Sequence, residues 1–330
     1  MIGWVSLQMM VLQGLSVRSK QCKPLLRSTI FNVAERRPFY TVRLNRRKRH
    51  YSINKEISDN GERDIFLAKN AFDVLARKSK SWMRLGIIVD LALDDSYSNE
   101  FSKVLTKSIC DVGTDHGLLA TGLAMTTRFD RVLGVDVSEQ ALRDGALKLQ
   151  HDILAYRKNT TTNVPASIEN ELLAEFRLSN GLQKVRVGEA DIVCVAGMGV
   201  HTMVDILTAR TRDEAQLLLD MLETRRLILQ PTNCKPRLLL HLYRHLHQIG
   251  WRAKTESVNF VSSRWYFTVE FERSNYTVIQ IPGTLAMTTN ISKATLDWVA
   301  HHRNWIRSDS SKTRSINQND ELWLKEFDVL

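Results

Sequence analysis

"CDVGTDHGLLATGLA", residues 110–124, is the stretch that decides the fold. A short apolar run closes at Asp111, Gly113 permits a tight turn, and an apolar helical run begins near Leu118. Strand, glycine turn and helix together open a nucleotide-binding βα unit. The alternating glycines of a pyrophosphate cradle are absent, however, and Asp115 and His116 occupy the turn instead. An acid in that position repels a pyrophosphate and attracts a cation.

Outward from this turn the chain alternates regularly. Apolar runs at 109–112, 131–135, 175–178, 191–196 and 226–229 read as strands, with helical patterns between most of them. Ser138 suits a helix N-cap, and Leu142, Ala146, Leu149 and Ile153 follow at helical spacing. Pro236 suits a first helical turn, and Gly250 suits the stop of the helix striped by Leu238, Leu242, Leu246 and Ile249. Two strands then follow with no helix between them, 256–261 and 265–272. Strand–helix alternation predicts a parallel, doubly wound sheet, and the closing pair predicts a hairpin with one antiparallel edge. Residues 62–93 read as helix before the sheet and 293–307 as helix after it, with a break over "RSDSSKTRS" (307–315). The expected organisation is therefore a presequence (1–51), a helical extension (52–103), an α/β domain (104–273) and a short helical appendage (274–330).

The net charge of +10 is confined to one end. Residues 1–51 hold eight Arg, three Lys and one acid, Glu35, whereas the remainder holds 35 bases and 35 acids. An Arg-rich, acid-poor start closing in Arg49-His50-Tyr51-Ser52 predicts a mitochondrial presequence cut after Tyr51. A basic nucleic-acid-binding arm and a secretory signal are the competing readings. No uncharged apolar run reaches the roughly 18–20 residues of a membrane span. Four scattered cysteines, at 22, 110, 194 and 234, make no C-x-x-C pair. Cys110 and Cys194 fall within strands and read as small buried hydrophobes in a reducing compartment. His241, His245 and His247 share a helix without an acid or cysteine set, so no metal site is expected.

In a doubly wound sheet, ligands bind beyond the carboxyl ends of the strands. Asp111, Asp136, Asn180-Gly181, Gly197-Met198 and Gln230 all stand there. An acid ending the second strand accepts hydrogen bonds from ribose hydroxyls, and an amide ending the third meets a base edge. Gly113 and Gly117 allow close backbone approach. The set fits a nucleoside without phosphates, and S-adenosyl-L-methionine, with its ammonium and sulfonium cations, suits Asp111 and Asp115.

The motifs "DVGTDHGLLA", "LGVDVS", "SNGL", "GEADIVCVAGMGVHTMVDIL" and "RLILQP" resemble those of the bacterial TrmK-type tRNA adenine-N1-methyltransferases. The resemblance spans about residues 80–272. It implies a Rossmann-like class I methyltransferase fold, with a seven-stranded, mostly parallel sheet carrying one antiparallel strand. It also implies S-adenosyl-L-methionine as donor and tRNA as acceptor. The donor set is then Asp111, Gly113, Gly117, Asp136, Val137, Asn180, Gly181, Ala196, Gly197 and Met198. Asp115, His116 and Gln230 form the catalytic set: Asp115 stabilises charge arriving on the adenine, His116 supports that loop or touches substrate, and Gln230 presents its amide to the base. Asn180 replaces the family's Asp, and Val200 replaces the last glycine of A-G-M-G-G, where it is expected to crowd the acceptor side. The family's long C-terminal helical hairpin has no counterpart of similar length. A small-molecule or protein methyltransferase, or a non-catalytic RNA-binding protein, on the same fold is the alternative.

Overall fold

The computed structural model describes residues 82–94, 108–126, 128–160, 174–275, 278–288, 291–313 and 315–328. The expected presequence and most of the helical extension lie outside these residues. Helix α1 spans Trp82–Leu93 and precedes β1 (Ser108–Val112) and α2 (Leu118–Met125). Strand β2 (Arg131–Asp136) leads through a π-helical turn, Ala141–Leu147, into α3 (Lys148–Thr160). Then come β3 (Glu175–Leu178), β4 (Ile192–Ala196), α4 (Val200–Leu207), α5 (Leu218–Met221) and β5 (Arg226–Gln230). After α6 (Pro236–Gln248) come β6 (Trp251–Val261), β7 (Arg264–Arg273), α7 (Thr284–Thr288), α8 (Lys293–Thr313) and α9 (Gln318–Phe327).

The seven strands form one sheet in the order β3-β2-β1-β4-β5-β7-β6. The β1–β2, β2–β3, β1–β4 and β4–β5 pairs are parallel. Strand β7 is antiparallel to both β5 and β6. The single antiparallel strand is thus interior, and β6 rather than β7 forms the edge, which corrects the expected antiparallel edge. Every residue of β1 and β5 is buried, because helices cover both faces of the sheet. Alternation along the strands divides the core. Cys110, Val112, Val193, Val195, Leu227 and Leu229 face α4, α6, α8 and α9. Ile109, Ile192, Cys194 and Ile228 face α1 and α2.

Two expectations at the C-terminal side need correction. Strand β6 begins at Trp251, not 256, because a bulge between Ala253 and Thr255 shifts the register and breaks the period-2 pattern. Helix α8 runs through the expected break to Thr313. The serines there do not disrupt it: Ser310 Oγ donates to the Arg307 carbonyl and Ser311 Oγ to that of Ser308. Trp298 of α8 and Trp323 and Phe327 of α9 are fully buried in the core under β6 and β7. Trp323 Nε1 donates to the Pro282 carbonyl at 2.9 Å. Glu256, inward on β6, accepts from Tyr243 Oη (2.6 Å) and from the backbone N–H groups of Gly283 and Ala286, which fixes the start of α7.

Candidate functional site

The turn after β1 is held by its neighbours. Gly113 and Thr114 both donate backbone N–H bonds to the Val135 carbonyl, at 2.8 and 3.0 Å. Thr114 Oγ1 donates to Asp111 Oδ2 at 2.7 Å. Gly113 has φ +72°, and a Cβ there would stand 1.8 Å from Met198 Cε. Its bareness therefore makes room for Met198, which bridges the turns after β1 and β4. Gly117 also has positive φ, but a Cβ there would strike Ala146 and Phe176. Glycine at 117 is thus required by packing against the π-helical turn and β3, rather than by approach of a ligand as expected. Asp115 adopts φ +50°, which a short polar side chain tolerates best among non-glycine residues. Its carboxylate lies 3.5 Å from His116 Nδ1, and both side chains are exposed. The His116 ring lies over Gly145 of the π-helical turn, where a Cβ would meet Nδ1 at 2.4 Å.

The Asp136 carboxylate ties this turn to the next one. Oδ2 accepts from the Asp115 backbone N–H at 2.9 Å, and Oδ1 from that of Ser138 at 2.8 Å. Each oxygen keeps lone-pair capacity for a further donor. Val137 beside it is 67% exposed, an apolar edge next to a charged one. Asn180 is exposed at the end of β3. The turn there is closed by Ser179 Oγ, which donates to the Gly181 carbonyl and accepts from Lys184 N–H. At the end of β4, Gly197 N–H donates to the Gln230 carbonyl at 3.0 Å, and Thr232 N–H to that of Met198 at 2.9 Å. These bonds fix Ala196, Gly197 and Met198 as the wall between the ends of β4 and β5. Val200 does not crowd this wall: as the first residue of α4 it is turned into the core and is 2% exposed.

Gln230 departs from its expected role. It is 1% exposed. Its Oε1 accepts from Arg84 Nη1 (2.8 Å), and its Nε2 donates to the Arg84 carbonyl (3.0 Å) and to Thr268 Oγ1 (2.8 Å). Both amide hydrogens are committed, so no donor remains for a base. Gln230 instead positions Arg84, a residue that no motif in the sequence singles out. The Arg84 guanidinium lies 5.7 Å from the Tyr266 ring centroid, and a Cβ at Gly197 would come within 3.4 Å of its Nη2. Period-2 alternation explains the meeting: Tyr266, Thr268 and Glu270 of β7 share the α1 face. Glu270 holds Arg226 at 2.7 Å, and Arg226 Nη2 in turn donates to the Leu91 carbonyl near the end of α1. A buried glutamine ending a central strand was the available signal, since a buried amide needs partners.

Asp111 is buried on the α1 face of β1. Burial pushes its carboxyl up to about 6, helped by the nearby Asp136 charge and opposed by the Thr114 hydroxyl, the Ala120 N–H and Arg84. Desolvation in turn lowers the Arg84 guanidinium. The rim thus offers one buried carboxylate with a raised pKa, Asp111, one half-buried, Asp136, and one exposed, Asp115. Such a set suits a cationic ligand and opposes an anionic one. Among the described residues no group of three or more His, Cys, Asp or Glu could hold a metal ion. No described helix is long and apolar enough to cross a membrane.

A family model described as "Methyltransferase domain" matches residues 101–269, more than half of the chain. Comparison with curated proteins found no match. Among solved structures, a Streptococcus pneumoniae protein described as a "putative tRNA (m1A22) methyltransferase", in complex with S-adenosyl-L-methionine, is 18% identical with a TM-score of 0.52. The alignment covers 74% of this chain and 97% of that one. The m1A22 tRNA methyltransferase TrmK of B. subtilis is also 18% identical, with a TM-score of 0.48, over 67% of this chain and 88% of that one. The M. capricolum TrmK, in complex with S-adenosyl-homocysteine, is 18% identical with a TM-score of 0.47, over 73% of this chain and 91% of that one.

Proposed function

The chain belongs to the methyltransferase-domain family, and from this premise we propose that it methylates N1 of an adenine in tRNA, with S-adenosyl-L-methionine as donor. The observation that carries the donor reading is the pair of carboxylates at neighbouring parallel strand ends, Asp111 buried and Asp136 at the rim. They frame a turn that Gly113 closes at positive φ against Met198 and that lacks the glycine pattern of a pyrophosphate cradle. The acceptor reading is supported by the motif resemblance over residues 80–272 and by the description of the S. pneumoniae protein of like fold.

The residues fit this donor. Asp136 offers lone pairs to ribose hydroxyls, Val137 an apolar edge to the adenine ring, and Asn180 an amide to its Watson–Crick edge. Asp111, ionised, faces the ammonium. Gly181, Ala196, Gly197 and Met198 close the site with backbone. When bound, the donor supplies a methyl group on a sulfonium, which adenine N1 takes with its own lone pair while positive charge passes from sulfur to the base. The chain's task is alignment and charge stabilisation. Asp115, exposed at the rim, places negative charge where the base becomes cationic, and His116 supports it from 3.5 Å. Arg84, held by Gln230, places a cation beside Gly197 and the Tyr266 ring.

Calorimetry with S-adenosyl-L-methionine, followed by transfer of labelled methyl to unmodified tRNA and mass-spectrometric mapping of the product, tests this reading. Donor binding and N1-methyladenine are expected. A chain that binds donor and methylates a small molecule or protein, but no tRNA, overturns the acceptor assignment. We also propose import into mitochondria, on the strength of the charge confined to residues 1–51.

A further inference from the structure

We propose that the tip of the β6–β7 hairpin, with the adjoining parts of α8 and α6, docks the RNA substrate. Unpaired bases would stack on Phe260, Trp265 and Trp305, and Lys235 and Arg264 would hold the flanking phosphates. The proposal rests on the RNA reading above and adds where the RNA is held.

Phe260 and Trp265 sit directly opposite each other on the two strands, with ring centroids 4.5 Å apart. The next rung on the same face, Val258 and Phe267, is buried, and Phe267 packs on Trp298 at 5.2 Å. The Phe260–Trp265 rung is therefore at the margin of the core: Trp265 is half-buried against it, and Phe260 is 55% exposed. Ser262 and Ser263 close the hairpin in two residues, both at positive φ, so no loop folds back over the rings. The aromatic surface continues onto α8. The His301 ring lies 6.4 Å from Trp265, and Trp305 stands one turn further along. Lys235 Nζ lies 4.7 Å from the Trp305 ring centroid and Arg237 Cζ 5.4 Å from it.

The charge around these rings is net positive: Lys235, Arg237 and Arg264 stand there against the acid Asp320. Arg237 is paired with Asp320, but Lys235 and Arg264 make no ion pair among the described residues. An exposed Phe260 ring, the half-buried Trp265 and Trp305 rings and the cations beside them suit single-stranded nucleic acid, in which every base has a stacking face and every linkage a charge. A protein-binding surface would instead be depleted in lysine. The position is also right. Strand β7 runs antiparallel to β5, with Leu229 opposite Val269, so residues preceding Thr268 extend past the carboxyl end of β5 onto the rim of the candidate site. Cys234, in the loop after β5, donates from Sγ to the Trp265 carbonyl. The loop that carries Thr232 to the Met198 wall therefore reaches the aromatic surface directly.

The test is filter binding of the full chain to unmodified tRNA over a range of salt, with donor calorimetry on every variant. Phe260→Ala should weaken tRNA binding at least about fivefold. The double variant Lys235→Gln/Arg264→Gln should flatten the slope of log affinity against log salt by about 1–2. Donor affinity should stay at the wild-type value in both. Wild-type tRNA affinity and slope in both variants overturn the docking surface and leave the methyltransferase reading standing; a surface that holds a protein gives that same result. A wild-type chain that binds donor, yet neither binds nor methylates tRNA, overturns both. Should Phe260→Ala lose donor binding as well, Phe260→Trp decides: it keeps a stacking face and must retain wild-type tRNA affinity, and loss of that affinity overturns the proposal.

Discussion

Asp111 and Asp115 stand four residues apart and divide the chemistry of the turn. Asp111 is buried, and its folded-state carboxyl is raised from the usual range to about 6. A raised acid favours the folded state most below the unfolded value, and that contribution is lost as pH rises through about 6. A rise from the usual carboxylate range to about 6 corresponds to about 3 kcal/mol. Without donor, Asp111→Asn should therefore raise the melting temperature at pH 8 more than at pH 5, by the equivalent of about 1–3 kcal/mol, while weakening donor binding. Equal melting at both pH values, in thermal unfolding followed by circular dichroism, would remove the buried charge from this account. Donor affinity of the wild-type chain should fall by up to about tenfold per pH unit below 6, because the ammonium requires the ionised form. Asp115 is the opposite case: exposed, at positive φ, with its carboxylate aimed at no backbone donor among the described residues. Asn tolerates the same backbone, so Asp115→Asn isolates the charge. Single-turnover methyl transfer should slow by about 30- to 1000-fold with donor affinity little changed. Joint loss of rate and donor affinity would place Asp115 on the donor ammonium instead.

At the scale of elements, the site depends on a latch between α1, β5 and β7. Gln230 links Arg84 to Thr268, and Arg226 links Glu270 to the Leu91 carbonyl. Gln230→Ala leaves the buried Thr268 hydroxyl on β7 and the half-buried Arg84 groups on α1 without this partner, which costs about 1–3 kcal/mol. Urea unfolding should show that loss. A variant of wild-type stability that is slow only in methyl transfer would restore Gln230 to contact with the base. The strand and helix patterns of residues 108–230 were legible because each element keeps one period and ends at a turn residue. Strand β6 extends beyond its period-2 pattern because its bulge flips the inward side: Trp251 and Ala253 face the core before the shift, Glu256 and Val258 after it. Helix α8 outruns its apolar stripe because its serines and charges at 307–311 lie at the surface and need none.

The molecule as a whole separates charge from core. Its excess positive charge lies in residues 1–51, outside the described residues, and the remainder is balanced. If these residues form a presequence, amino-terminal sequencing of the native protein should find a chain beginning near Ser52, and one beginning at Met1 would refute import. At the other end, Trp323 and Phe327 are fully buried, and Trp323 meets Trp298 with ring centroids 5.6 Å apart. Trp323→Ala should destabilise the protein by about 3–5 kcal/mol, as removal of a core aromatic does. Residues 316–328 supplying only a loose tail would leave thermal melting unchanged.

The sequence by itself determined the order and type of most elements, the doubly wound sheet and the row of polar residues along its carboxyl rim. Those features follow from local rules: period 2 or 3.6, glycine where φ turns positive, and an acid or amide where a strand stops. Asp111, Asp136, Asn180 and Gly197 stand on that rim because strand ends are counted along the chain. Only the tertiary structure decided which way the rim side chains turn and what they already hold. It gave Gln230 to Arg84 and Thr268, turned Val200 into the core, set Gly117 against Ala146 and Phe176, and brought Phe260, Trp265, Trp305 and Lys235 to one surface. These are contacts between residues far apart in the chain. They arise from the packing of α1, α6 and α8 on particular faces of the sheet, which no local period encodes.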